Sequence, residues 1–173
     1  MFGDNPMGEL LCEIFANIES GLLRSDRVAH TMKLVDRANY CSNKSDAYVD
    51  TPQYIGYNKS ISAPRLHAKA LEYLAPNCQE GAKVLDIGTG SGYLSACLAQ
   101  MVGRSGKVIG VDSVPEIVKL AKENVSREDP TLLDHQLQLL HVDDEVGYAS
   151  GAPFDAIHVN IYHTEVPKEV IDN

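Results

Sequence analysis

Three absences narrow the possibilities for this sequence. No stretch is apolar for the length a helix needs to cross a bilayer, so no membrane-spanning helix is expected. The four cysteines, Cys12, Cys41, Cys78 and Cys97, form no CxxC pair and stand in no Cys/His ligand spacing. That speaks against a disulfide framework or a zinc site and makes a reducing, cytoplasmic setting the expectation. The histidines show no HExxH pattern, and no metal site is predicted. Clusters of Lys and Arg are also missing. With 24 acidic against 15 basic residues the formal net charge is −9, which repels a phosphate backbone, so nucleic acid is not the expected partner. The N-terminal MFGDNPMGELL lacks the basic start and long apolar run of a secretory signal.

What remains is an ordinary globular composition, 44% hydrophobic and 23% charged over 173 residues. A chain of this length buries roughly two-thirds of its unfolded surface, enough for one core of helices on a sheet. We therefore expect a single domain over residues 1–173, with helices and a loop in residues 1–80 and a strand–helix core in residues 81–173. Leu10, Leu11, Ile14, Phe15 and Ile18 have helical spacing, and Ser25 precedes a second helix with Val28, Met32 and Val35 on one side. Residues 41–63 show no sustained period and read as a long surface connection or binding loop, whose tyrosines argue for packing. Ser62 and Pro64 open a helix over residues 63–75.

From residue 82 strands and helices alternate. Ala82–Ile87 ends in a glycine cluster and is followed by a helix from Ser91 to Val102. Lys107–Asp112 is a second strand. Ser113–Val114–Pro115–Glu116 reads as a capping box, and Leu137–Val142 and Ala156–Ile161 are further strands. The final VPKEVIDN reads as the start of another helix. This alternation predicts an α/β fold with a doubly wound, mostly parallel sheet.

The sharpest signal is Asp86–Ile87–Gly88–Thr89–Gly90–Ser91–Gly92 at a strand-to-helix turn. Glycines allow the backbone to reverse tightly and to approach a ligand, and the amides that begin the helix face it. Asp112 ends the next strand, where a carboxylate can accept from both ribose hydroxyls or serve as a turn acid. A dinucleotide fold needs its third glycine where Tyr93 stands, which disfavours an NAD-dependent oxidoreductase. S-adenosyl-L-methionine fits better, because Asp86 can attract its cationic amine. The alternative is that Asp86 is a strand-end acid satisfied by loop amides. An acid among Asp143, Asp144 and Glu145 can accept from the adenine amine, or the three form a solvated turn.

Between residues 19 and 172 the sequence resembles the protein-L-isoaspartate O-methyltransferase family. The resemblance is carried by SGLLRSDRVAHTMKLVDRANY, DAYVDTPQYIGYNKSISAPRLHAKALEYL, GAKVLDIGTGSGYLSACLAQMVG, GKVIGVD and GYASGAPFDAIHV, and above all by Ile61–Ser62–Ala63–Pro64 with His67. It implies a Rossmann-like S-adenosylmethionine-dependent fold. The implied activity is methylation of the carboxylate of L-isoaspartyl residues in damaged proteins or peptides. It further implies that Ser62 is the active-site serine and that Lys59, Ser60, Ile61, Ser62, His67, Ser91, Asp112, Ser113, Asp143 and Asp144 contact the cofactor, with Gly88, Gly90 and Gly92 forming the loop. Ser62 also suits a helix N-cap, and His67 also suits a core histidine. A monomer is expected.

The sequence departs from the family pattern in three places. The family's Gly-Asp-Gly-Arg is Val142–Asp143–Asp144–Glu145 here, and its Gly-Ala-Ala-Ala-Pro is Asn160–Ile161–Tyr162–His163–Thr164. The sequence ends at Asn173, where the family continues into further strands. The expectations are an incomplete sheet with an unpaired fourth strand, weaker cofactor binding than in an intact relative, and low stability or activity of this length of chain alone. A non-catalytic relative that keeps the fold is the alternative function.

Overall fold

In the computed structural model the residues described are 6, 7, 10, 25–143, 147–160 and 168. The apolar helix expected over residues 10–18 and the helix expected in VPKEVIDN fall almost wholly outside them.

Strands β3 (Lys83–Ile87), β4 (Lys107–Asp112), β5 (Leu137–His141) and β6 (Ala156–Val159) form one parallel sheet in the order β5-β4-β3-β6. Their apolar runs are nearly continuous because both faces of the central strands are buried. Alternation along β3 sends Val84 to one cluster and Leu85 and Ile87 to the other. Helices α3 (Tyr93–Val102) and α4 (Pro115–Glu128) pack on the Val84 face through Leu98, Ile117, Ala121 and Val125. On the other face Leu85, Ile87, Ile109 and Val111, extended by Ile157 of β6, pack against Tyr148 and Phe154. The short α5 (Leu132–His135), just before β5, was not anticipated. Among the described residues β6 pairs only with β3.

The chain ahead of the sheet supplies α1 (Asp26–Leu34), the hairpin β1 (Gln53–Gly56) and β2 (Lys59–Ile61), and α2 (Pro64–Leu74). Arg27 ties this part to the core. Its guanidinium donates to the carbonyls of Ala75, Cys78 and Met101, satisfying groups past the end of α2 and in the last turn of α3.

Several local expectations need correction. Residues 41–63 are not without regular structure: they contain a 3-10 turn at Lys44–Asp46 and the β1–β2 hairpin. The hairpin turns through Tyr57 and Asn58, both left-handed at φ 52° and 56°. A tyrosine in such a turn is uncommon, so the turn signal was missed. Helix α2 is capped by Ala63 and not by Ser62. Helix α3 begins at Tyr93 and not at Ser91, and α4 has Val114 as its N-cap with no side-chain cap bond, so the expected capping box does not form. Strand β3 starts at Lys83, β5 ends at His141 and β6 ends at Val159. No described helix is long and apolar enough to cross a membrane.

Candidate active site

Parallel pairing brings three residues to one level near the carboxyl ends of the strands. Gly110 of β4 is the register partner of Asp86 on one side, and His158 of β6 is its partner on the other. Asp86 is buried, and its two oxygens are held separately. Ser95 Oγ donates to Oδ2 and in turn lies 2.7 Å from Thr89 Oγ1, while His158 Nδ1 lies 2.8 Å from Oδ1. The expected alternative of a carboxylate satisfied by loop amides is therefore not what forms. A carboxylate has about four acceptor positions, so about two remain for a ligand. Gly110 makes room for this arrangement: a Cβ there would meet Leu139 Cδ2 at 2.7 Å, Ser95 Oγ at 2.8 Å and Thr89 Oγ1 at 2.9 Å.

The glycine turn follows directly. Gly88, Gly90 and Gly92 have φ of 78°, 55° and 85°, where other residues are strained. A Cβ on Gly92 would also lie 3.2 Å from that of Ala121, so this glycine lets α3 and α4 approach. The carbonyl of Val111 accepts from the amides of Gly88 and Thr89 at 2.9 Å each, locking the turn to β4.

Asp112 closes the far side of the turn. Its Oδ2 accepts from the Gly90 amide and its Oδ1 from the Val114 amide, both at 3.1 Å, with Lys59 Nζ 3.8 Å from Oδ1. This is a turn acid in its local contacts, with Lys59 of the hairpin reaching over it.

The fourth wall comes from α2 and the segment before it. Arg37 is fully buried without a carboxylate partner among the described residues. Its Nε donates to the carbonyl of Ala47 at 2.8 Å, its Nη2 to the carbonyl of Ser62 at 2.7 Å, and its Nη1 lies 3.1 Å from His67 Nδ1. Tyr93 packs beneath, with its ring centroid 4.9 Å from that of His67 and 5.6 Å from the Arg37 Cζ. The tyrosine that displaces the third glycine of a dinucleotide turn thus floors this wall. Burial, reinforced by Arg37 and His158, holds His67 well below the usual histidine range. Burial likewise pushes the Tyr93 phenol up.

These walls enclose a cavity of about 110 Å³. Of the residues anticipated from sequence it is lined by Ser60, Ile61, Ser62, His67, Asp86, Gly88, Gly90 and Ser91. Lys59, Gly92, Asp112, Ser113 and Asp143 lie outside the lining, and Asp143 is exposed. Asp144, Tyr162 and His163 are outside the described residues. Sequence reasoning missed Leu66, Ala70, Thr89, Leu94, His158 and Asn160 in the lining, and Arg37 behind it. His158 becomes legible only once its register with Asp86 is known. Arg37 carried no signal, since nothing in the sequence marks an arginine that will be buried. Among the described residues no group of three or more His, Cys, Asp and Glu is arranged to hold a metal.

Residues 9–173 match the family described as protein-L-isoaspartate(D-aspartate) O-methyltransferase. The chain belongs to this family. It is 44% identical over 154 residues to protein-L-isoaspartate O-methyltransferase 1 of Arabidopsis thaliana, which covers 88% of this chain and 67% of that one. It is 39% identical to the Caenorhabditis elegans protein-L-isoaspartate O-methyltransferase, across 95% of this chain and 73% of that one. A Plasmodium falciparum structure described as a member of the same family, in complex with S-adenosyl-L-homocysteine, superimposes with a TM-score of 0.83 at 33% identity. It covers 92% of this chain and 77% of the other. Family membership accounts for the parallel sheet with flanking helices found here, a Rossmann-like methyltransferase fold.

Proposed function

We propose that this chain transfers a methyl group from S-adenosyl-L-methionine to the carboxylate of L-isoaspartyl residues in damaged proteins and peptides. One observation carries the reading. In a chain of this family, the cavity sets the Asp86 carboxylate and the glycine turn against the Ser62–His67 wall.

The residues present suit that cofactor. Gly88 and Gly90 bring bare backbone to the cavity, and Asp86 keeps acceptor positions for the cationic amine of its amino-acid end. Asp112, at the end of β4, is our candidate for the ribose. Both its oxygens already take an amide, so it would use its remaining acceptor positions, with Lys59 turning aside. Lys59, Ser91, Ser113, Asp143 and Asp144 remain candidates for the outer contacts. The bound cofactor supplies an electrophilic methyl on a sulfonium.

The chain's own task is then modest. A substrate carboxylate is ionised at neutral pH and needs no strong base. Ser62 presents a hydroxyl on the cavity wall and orients that carboxylate by donating to it. Leu66, Ala70 and Leu94 line the same space and exclude water, so alignment and desolvation carry most of the rate. The buried Arg37 cation behind Ser62 adds a positive potential that favours an anionic substrate in a molecule of net charge −9. The free, buried thiols Cys41, Cys78 and Cys97 fit a reducing cytoplasm, and we read the protein as a monomer.

Labelled S-adenosylmethionine with an isoaspartyl peptide tests this. A base-labile methyl ester is expected on the isoaspartyl peptide and not on its aspartyl twin, and Ser62→Ala lowers kcat about tenfold or more. Cofactor binding without ester formation would instead support the non-catalytic reading.

A further inference from the structure

The buried Arg37 determines more than local packing. A guanidinium has only donors, so the contact between Arg37 Nη1 and His67 Nδ1, at 3.1 Å, requires Nδ1 to be the acceptor. The ring proton then sits on Nε2. A proton on Nδ1 would face the guanidinium, which its bonds to the Ala47 and Ser62 carbonyls hold in place. The His67 ring lines the cavity, and its second nitrogen has no hydrogen-bond partner among the described residues. Its ionisable surroundings are Arg37, Tyr93 with Cys97 beyond it, and the His158–Asp86 pair.

We propose that Arg37 is a positioning residue that fixes His67 as the neutral Nε2–H tautomer and anchors the Ser62 backbone, giving the cavity one donor for a carboxylate at every working pH. The idea rests on the proposed cofactor and substrate, each of which brings a carboxylate. Whichever of them His67 receives, the chemistry is the same: a neutral N–H donating to an anionic oxygen, with a fixed positive charge behind it.

The first test needs no turnover. In long-range proton–nitrogen spectra of the whole chain, His67 should show a protonated Nε2 and a bare Nδ1, unchanged between about pH 5 and pH 8. An Nδ1–H tautomer or an imidazolium in that range would overturn the proposal, whether or not the chain methylates anything.

Variants then locate the carboxylate. Arg37→Lys keeps the charge but lacks the planar fork that reaches the Ala47, Ser62 and His67 acceptors at once, and should let the His67 signal shift with pH. If the cofactor's carboxylate is the partner, S-adenosylhomocysteine affinity falls about tenfold in Arg37→Lys while affinity for methylthioadenosine, which lacks the amino-acid end, holds. If the substrate's is the partner, the peptide KM rises about tenfold and cofactor affinity holds. No change in either contradicts the proposal. Should Arg37→Lys fail to fold, His67→Gln, which keeps an N–H near Nε2, should retain that binding and His67→Phe should lose it. Equal losses in both would overturn the assignment.

Discussion

A single missing methyl group at Gly110 keeps the Asp86 network in place. The glycine has no unusual φ, so its role is space: its absent side chain lets Ser95 and Thr89 lie against β4 while Ser95 reaches Asp86. Gly110→Ala should therefore push Ser95 off the carboxylate and cost about 1–3 kcal/mol as overpacking. A lowered thermal midpoint and weakened S-adenosylhomocysteine binding are expected together. An unchanged midpoint would show that the site relaxes freely. The sequence displayed Asp86 and the glycine turn because both follow a recognisable strand. It hid Gly110, Ser95 and His158, because their importance depends on which strands are neighbours and at what register.

Among elements, the β1–β2 hairpin is where local sequence and local structure disagree most. Tyr57 is exposed yet held in a left-handed conformation, and Asn58 shares it. A non-glycine residue there costs roughly 1–2 kcal/mol, and little packing compensates at Tyr57. Replacing the pair by Asn-Gly should stabilise the chain by about 1 kcal/mol, read as a higher denaturant midpoint with an unchanged slope. A lower midpoint would mean that Tyr57 makes stabilising contacts after all. The core strands and helices were legible from residue 82 onward, because buried runs ending in Gly or Asp alternate with helical periods. Residues 41–63 were not, because a short 3-10 turn and a tyrosine-containing hairpin turn leave no periodic trace.

For the molecule as a whole, His67 links the site to stability. Its folded pKa lies well below the value of 6.5 it has when exposed. Above about pH 6.5 neither state protonates it and the group has no effect. As pH falls below that, the unfolded chain takes up the proton first, so stability is lost progressively toward the folded pKa, by up to about 1.4 kcal/mol per pH unit. His67→Gln should flatten this acid limb relative to the parent chain. Identical limbs would mean that the ring is charged in the fold. On the proposed function, the cavity bounded by Asp86, the glycine turn and the Ser62–His67 wall, with Tyr93 packed behind His67, holds the cofactor's amino-acid end. A crystal structure of this chain with S-adenosylhomocysteine tests it most directly. The ligand's amine is expected at Asp86, with the rest of its amino-acid end against Gly88 and Gly90. Density for the ligand elsewhere, with this cavity still filled by solvent, would contradict it.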